Sequence, residues 1–295
     1  MTTLRFAVIG DPVHHSISPA MQCAAFEELG IDATYEAVRV RRDDLERCWP
    51  DLIRRFDGMN VTAPLKEGAA ELVDTVEGDA AVARSVNTVV NDGDGMRGHS
   101  TDGDGLLAAV ARASGDASGR AAVTGPALVL GAGGAARAVV AALVRRFVPV
   151  RVWARRSEAA TGLVWSMRRS GDSHAAARTC PDLRAGLGGA RLLVNATPVG
   201  GEQAPGCLLD QDIELGPEVV VGDLVYRPVR TELLARAEAA GCRAVFGLDV
   251  LVEQGARSFE LWTGLPAPIS VMREAAWQAA DVAPEPKKDR SCSAS

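Results

Sequence analysis

Short apolar runs alternate with longer stretches of helical periodicity along most of the chain. This alternation is typical of βαβ units, which build a parallel sheet covered by helices. We predict strands at Arg5–Ile9, Thr34–Val40, Gly58–Val61, Val86–Asn91, Ala127–Leu130, Val148–Trp153, Arg191–Asn195, Val219–Gly222 and Arg243–Phe246. The pattern therefore predicts an α/β protein.

Polar residues at the ends of several strands mark the starts of helices. Ser18 precedes Pro19, which predicts an N-cap serine followed by proline at the first helical position. Pro64 closes a similar polar turn and predicts a second helix start. Asp102 occupies a good N-cap position for a helix over Gly103–Val110.

The segment Ala113–Pro126 is rich in small and helix-breaking residues, and it separates one βα block from the next. A chain of 295 residues is also long enough for about two domains. We predict one domain from 1–105 with 248–283 and a second domain from 106–247. The segment 284–295 has no apolar period and is predicted to be a loose tail.

The composition favours an ordinary globular protein, with 47% hydrophobic and 24% charged residues. A net charge of −6 argues against a nucleic-acid binder that works through a global basic field. No window approaches the roughly 18 apolar residues of a membrane span, and the N-terminal apolar patch is too short for a signal-peptide core. The six cysteines form no C-x-x-C pair. We therefore expect a cytoplasmic protein that binds neither nucleic acid nor membrane and has no metal site.

A glycine-rich turn follows the strand Ala127–Leu130. Gly131–Ala136 reads G-x-G-x-x-A, and the apolar helical pattern Val139–Val144 comes next. Glycines at the first two positions allow a tight turn and close approach to a pyrophosphate, while Ala136 allows close helix packing. This context predicts dinucleotide binding, against the alternative of a plain strand–helix turn.

The next strand indicates which dinucleotide is preferred. An NAD site usually places a carboxylate at the end of this strand, whereas an NADP site places arginine there. Here the strand ends in Arg155 and Arg156, whose guanidiniums suit a 2′-phosphate. Glu158 follows closely and leaves NAD open, and a solvated helix start is the structural alternative.

Three polar stretches of the N-terminal block lie near predicted strand ends. In an open α/β sheet such positions converge on a ligand crevice, and their hydroxyl, amide, amine and carboxylate groups suit a small polyhydroxylated acid. The stretches are His15–Pro19, Asn60–Lys66, and Ser85–Thr88 with Gly98–Gly103.

These stretches, in this order, resemble the shikimate dehydrogenase family. The patterns S-x-S-P, N-x-T-x-P-x-K, V-N-T and T-D-G are followed by the GAGGAARA turn. N-A-T-P at Asn195–Pro198, D-x-x-Y at Asp223–Tyr226 and L-V-x-Q at Leu251–Gln254 complete the set. The resemblance covers about residues 5–280 of the chain.

The resemblance implies two α/β domains with the active site in the cleft between them. One is an N-terminal substrate-binding domain with a mainly parallel sheet, and the other is a Rossmann-type domain that binds NADP. It further implies reversible, NADPH-dependent reduction of 3-dehydroshikimate to shikimate by hydride transfer. A small-molecule partner and a monomer or homodimer are expected.

Carried over position by position, the resemblance implies specific roles. Lys66 and Asp102 form the catalytic pair. Ser16 and Ser18 bind the substrate carboxylate with help from Tyr226. The residues implied to hold the ring hydroxyls, besides the catalytic pair, are Thr62, Asn87 and Gln254. The cofactor-binding residues implied are Gly131, Ala132, Gly133, Gly134, Ala135, Arg155, Arg156, Thr197, Leu224 and Gly247.

Several positions depart from the family pattern. Ser100 replaces an asparagine beside Asp102, Arg84 and Ser85 replace Gly-Ala, and Ala159 replaces the second arginine of N-R-T-x-x-R. These departures keep a second hypothesis open, a paralogue that oxidises quinate or an amino analogue of shikimate, with NAD as an alternative cofactor. A third hypothesis is a catalytically silent NADP-binding sensor.

Overall fold

A computed structural model of the chain describes residues 3–115, 123–169 and 177–281. The predicted tail 284–295 and part of the segment Ala113–Pro126 lie outside the described residues. None of the helices within the described ranges combines the length and the apolar character needed to cross a membrane.

The chain forms two compact units. The first comprises Met1–Thr101 together with Gln254–Ser295, and the second comprises Asp102–Glu253. The chain thus leaves the first unit directly after Thr101 and returns to it at Gln254.

The first unit contains a six-stranded sheet in the order β2-β1-β3-β5-β6-β4. Its strands are β1 (Leu4–Gly10), β2 (Ala33–Arg39), β3 (Gly58–Val61), β4 (Thr75–Val76), β5 (Thr88–Asn91) and β6 (Met96–His99). The sheet is parallel around β1 and antiparallel around β5. A short turn joins β5 to β6, and only an antiparallel pair can be connected so tightly.

Helices cover both faces of this sheet. They are α1 (Ser18–Glu28), α2 (Leu45–Arg55), α3 (Lys66–Leu72), α4 (Asp79–Ala83), α10 (Gly247–Thr263) and α11 (Ile269–Asp281). Side chains of β1 alternate between the faces, as a strand requires. Phe6 stacks on Phe26 and Trp262 at centroid distances of 5.2 and 4.9 Å, whereas Ile9 joins the core that contains Trp49.

The second unit contains a six-stranded sheet in the order β12-β11-β10-β7-β8-β9. Its strands are β7 (Ala127–Leu130), β8 (Val150–Trp153), β9 (Ala177–Thr179), β10 (Leu192–Asn195), β11 (Val220–Asp223) and β12 (Arg243–Val245). Its helices are α5 (Asp102–Ala113), α6 (Gly134–Arg145), α7 (Ser157–Arg169), α8 (Leu183–Leu187) and α9 (Glu232–Ala239). Every neighbouring pair of strands is parallel. Numbered from β7, the strand order is 3-2-1-4-5-6, which is the Rossmann order.

The predicted helix starts are each displaced slightly. The N-cap is Ile17, with φ −86° and ψ −15°, and Ser18 is the first residue of α1. Helix α5 begins at Asp102 itself, and α3 begins at Lys66, after the turn that contains Pro64. The serine and the aspartate therefore lie in the first turns of their helices rather than before them.

Candidate functional site

Polar residues of the first unit gather at one edge of its sheet. The register pairs Asn60 in β3 with Thr88 in β5, and Thr88 with His99 in β6. Because β5 is antiparallel to both neighbours, its beginning lies beside their ends. Asn87 therefore meets the ends of β3 and β6.

Three residues from distant parts of the sequence form a buried polar cluster there. Asn87 Nδ2 donates to Thr101 Oγ1 at 2.8 Å and to Gln254 Oε1 at 3.1 Å, and Asn87 Oδ1 accepts from the Thr101 N–H at 2.8 Å. All three side chains are buried. The structure thus brings together two of the predicted substrate-binding residues, Asn87 and Gln254.

A second layer of buried polar groups supports this cluster. Asn60 Nδ2 donates to the Asn87 carbonyl at 3.1 Å, to Thr88 Oγ1 at 3.2 Å and to Ser258 Oγ at 2.9 Å. Tyr35 Oη donates to Asn60 Oδ1 at 2.7 Å, and burial raises the pKa of Tyr35 well above its usual value. The motif pattern assigned no role to Tyr35, Thr88 or Ser258, because single polar residues in apolar runs are also ordinary in cores.

The loop after β1 carries the predicted carboxylate-binding serines. Ser18 donates its backbone N–H to Ser16 Oγ at 3.3 Å. The Ser18 side chain is buried and forms a side-chain hydrogen bond with Tyr35, while Ser16 is half-buried. These hydroxyls therefore lie on the N-terminal turn of α1 and the loop before it.

Thr62 lies in the loop after β3 and Lys66 at the start of α3, and both are half-buried. The Thr62 N–H donates to the Ile9 carbonyl at 2.9 Å, which joins this loop to the end of β1. The Lys66 carbonyl accepts from the Val86 N–H at 2.9 Å. This bond ties the start of α3 to the segment that leads into Asn87.

Asp102 is the first residue of the second unit and the first residue of α5. Its carboxylate is buried at the N-terminus of this helix, where the helix dipole favours negative charge. A Cβ on Gly103 would lie 2.5 Å from Ala142 Cβ, so glycine is needed for the close packing of α5 on α6.

The glycine-rich turn has the backbone geometry that a dinucleotide requires. Gly131 has φ +116°, and a Cβ there would lie 2.9 Å from the Ala196 carbonyl oxygen. Gly133 is the N-cap of α6, and nothing lies within 4 Å of the Cβ position there. The open Cβ position at the N-cap allows a ligand to approach the backbone at the N-terminus of α6, so the residues present fit a bound dinucleotide.

Arg155 and Arg156 lie between the end of β8 and the start of α7, and both are exposed. Glu158 is also exposed in the first turn of α7, where its Oε1 accepts from Ser157 Oγ at 3.3 Å. Two guanidiniums therefore follow the C-terminal end of β8, the second strand of the Rossmann unit.

A buried network fixes the loops after β10 and β11. Asn195 Nδ2 donates to Asp223 Oδ1 at 2.9 Å, and Thr197 Oγ1 donates to Asn195 Oδ1 at 2.7 Å. The Leu224 N–H donates to the Asn195 carbonyl at 2.9 Å. Burial raises the pKa of Asp223, partly opposed by its hydrogen bonds, the largest of them from Thr231. The predicted cofactor residues Thr197 and Leu224 are thus held by one asparagine.

Gly247 and Tyr226 complete the sequence-predicted set within the second unit. A Cβ on Gly247 would lie 2.3 Å from the Val225 carbonyl oxygen, so the start of α10 passes close to the β11 loop. Tyr226 follows on this loop, and burial raises the pKa of its phenol. Tyr226 therefore belongs to the Rossmann unit, whereas the predicted serines belong to the other.

The departures from the family pattern have different structural meanings. Arg84 has φ +50° and ψ +46°, a left-handed conformation at the end of α4 that favours glycine, and its side chain is exposed. Ser85 is buried. Ser100 Oγ is buried and makes no hydrogen bond within the described part of the chain. The change at Arg84 concerns the backbone, and the change at Ser100 leaves a buried hydroxyl beside Thr101.

The fold and the site define a two-unit α/β protein. The first unit gathers buried polar groups at a sheet edge, and the second is a Rossmann dinucleotide-binding unit. Family models agree with this class: residues 8–89 match the shikimate dehydrogenase substrate binding domain, and residues 247–276 match the shikimate 5′-dehydrogenase C-terminal domain.

Individual relatives extend the match to nearly the whole chain. A shikimate dehydrogenase (NADP(+)) from Thermus thermophilus is 41% identical over 95% of this chain and 100% of its own length. One from Methanococcoides burtonii is 37% identical over 94% and 98%. This chain belongs to the shikimate dehydrogenase family.

Solved structures agree with this assignment. A Thermus thermophilus shikimate 5-dehydrogenase in complex with NADP(H) and shikimate has a TM-score of 0.83 at 41% identity, and the match covers 94% of this chain and 99% of the other. A quinate dehydrogenase from Corynebacterium glutamicum in complex with NAD has a TM-score of 0.82 at 29% identity, covering 94% and 99%. The fold is thus common to both activities, and the higher identity is to the shikimate enzyme.

Proposed function

We propose that this chain is a shikimate dehydrogenase that reduces 3-dehydroshikimate to shikimate with NADPH and catalyses the reverse reaction with NADP⁺. The observation that carries the proposal is the family match over nearly the whole chain, which includes the polar cluster of Asn87, Thr101 and Gln254. A buried cluster of amides and a hydroxyl suits a ligand with several ring hydroxyls.

The first unit supplies most of the substrate contacts. Ser16 and Ser18 bind the carboxylate through hydroxyl donors near the N-terminus of α1, where the helix dipole favours an anion. Tyr226 contributes a phenol to the same group, and its raised pKa keeps it a protonated donor. The ring hydroxyls are held by Thr62, Asn87 and Gln254.

Lys66 and Asp102 carry out the proton transfer. As the substrate carbonyl becomes a hydroxyl, negative charge develops on its oxygen, and the Lys66 ammonium stabilises that charge and donates the proton. Asp102 accepts a hydrogen bond from the substrate. In the reverse direction Lys66 accepts the proton that the hydroxyl loses.

NADPH, when bound, supplies the hydride. The residues that would hold it include the glycine-rich turn, Thr197, Leu224 and Gly247. Arg155 and Arg156 would hold the 2′-phosphate, with Arg156 in place of the arginine that is missing at Ala159. These guanidiniums give NADP its advantage over NAD.

The two other hypotheses are less well supported. The relatives at 37–41% identity are shikimate enzymes that use NADP(+), whereas the quinate dehydrogenase stands at 29%, so quinate is not favoured. A silent sensor would not need Lys66 and Asp102 together.

The experiment that tests the proposal is product identification in the reductive direction. Purified protein is incubated with 3-dehydroshikimate and NADPH, and the products are separated and identified by mass spectrometry. We expect shikimate, heavier than the substrate by two hydrogens, in equal amount to NADP⁺. Binding of both ligands without any product would support the sensor and overturn the proposal.

A further inference from the structure

The hydroxyl of Ser258 is a completely buried junction between elements of the first unit. It lies one turn after Gln254 on α10 and donates to the Gln254 carbonyl at 3.2 Å. It also contacts Asn60 Nδ2 at 2.9 Å, Thr88 Oγ1 at 2.8 Å and Thr101 Oγ1 at 3.4 Å. One small side chain thus joins α10 to β3, β5 and the segment after β6.

The donor and acceptor of each of these hydrogen bonds are determined by backbone groups that can only accept or only donate. The Asn87 carbonyl can only accept, so the Asn60 side chain must present its Nδ2 on that side. The same nitrogen also donates to the Ser258 hydroxyl, and this hydroxyl in turn donates a hydrogen bond to the Gln254 carbonyl. These hydrogen bonds fix the position of α10 along its axis relative to the sheet.

Hydrogen bonds also determine which way the side-chain amides of Asn87 and Gln254 face. The Thr101 N–H can only donate, so it fixes Asn87 Oδ1 on its side and turns Nδ2 toward Gln254. Gln254 must then place Oε1 against Asn87, which leaves Nε2 as the end that faces away from the cluster. The pair presents a defined pattern of donors only while α10 and β5 keep their register.

We propose that Ser258 is a positioning residue for the substrate-binding amides, which it holds in register through Gln254 and Asn60. The inference rests on the proposed function, because it assumes that Gln254 contacts shikimate. Ser258 itself, fully buried behind Gln254, acts only through its neighbours.

Titration calorimetry on Ser258→Ala tests this role. Loss of one net hydrogen bond is expected to raise the dissociation constant for shikimate about five- to tenfold, with NADP⁺ affinity unchanged. In a Gln254→Ala background the same change is expected to add less than about twofold, because the group that it positions is gone. A purely structural role would not produce this non-additivity.

Thr263→Val is the matched control. Thr263 lies on the same helix, and its hydroxyl donates to the Phe259 carbonyl at 2.8 Å, the same type of bond that Ser258 makes. Its removal is expected to leave shikimate affinity unchanged. If Ser258→Ala does not fold, Ser258→Cys keeps nearly the same side-chain shape but replaces the hydroxyl by a weak hydrogen-bonding group, and the same weakening is expected.

Two results would overturn the inference. One is normal shikimate affinity in Ser258→Ala, and the other is full additivity with Gln254→Ala. If the unaltered protein itself fails to bind shikimate, the proposed function fails instead, so the two failures are distinguishable.

Discussion

At the residue scale, the choice of lysine at position 66 is chemically specific. Lysine occurs only at positions 66, 287 and 288, while arginine supplies the other basic side chains. Lys66 is therefore the only lysine among the described residues. An ammonium can donate a proton and later regain it, whereas a guanidinium stays protonated.

Lys66→Arg tests this specificity. The variant keeps the positive charge but replaces the general acid and base by a group that stays protonated, so kcat is expected to fall by about 10²- to 10⁴-fold. Steady-state kinetics with shikimate and NADP⁺ measure the effect. Arg42→Lys, at an exposed position, is the control and should leave kcat unchanged. Retention of normal kcat in Lys66→Arg would remove the lysine from the chemistry.

Sequence patterns identified individual site residues unevenly. Asn87 and Gln254 were predicted because they stand in family motifs, and the structure brings them together. Ser258 was missed because its role depends on Asn60, which lies 198 residues away in the sequence. A local sequence pattern cannot predict a contact between residues so far apart in the sequence.

At the element scale, the turn between β7 and α6 depends on one backbone conformation. Gly131 combines φ +116° with a close approach to the Ala196 carbonyl, so a side chain there would be strained and would collide with backbone. Gly131→Ala is expected to lower the free energy of unfolding by about 1–3 kcal/mol and to weaken NADP⁺ binding.

Gly162→Ala is the matched comparison for that variant. Gly162 lies inside α7 with nothing within 4 Å of its Cβ position, so alanine should stabilise the helix by about 0.5–1 kcal/mol. Chemical denaturation and titration with NADP⁺ measure both variants. Equal behaviour of the two would contradict the close packing that the turn requires.

Element prediction succeeded where a strand contains a continuous apolar run. The nine predicted strands are all present; β3 and β7 keep their predicted bounds, and the others shift at their ends. Strand β4 was missed because it has only two residues, and β6 (Met96–His99) and β9 (Ala177–Thr179) were missed because neither contains a continuous apolar run. Their pairing is imposed by neighbouring strands rather than by their own composition.

At the scale of the whole molecule, Asp223 gives the stability a pH dependence. Burial raises the pKa of this carboxyl above its ordinary value of 3.8, so the folded state binds the proton more tightly than the unfolded state. Its contribution is fully present below pH 3.8 and is lost as pH rises through the raised pKa.

Asp223→Asn isolates this effect, because asparagine does not titrate. The variant loses a matched acceptor for Thr231, so it is expected to be less stable than the original. Urea denaturation across the acid to neutral range should show the difference shrinking as pH rises. A difference that grows with pH would mean that the network stabilises the carboxylate and lowers its pKa.

The central claim is most directly tested by following the near-ultraviolet absorbance of reduced nicotinamide in four pairings. The purified protein is offered shikimate or quinate, each with NADP⁺ or NAD⁺, and kcat/KM is measured for each pairing. We expect the highest value for shikimate with NADP⁺. A higher value for quinate, or for NAD⁺, would contradict the central claim.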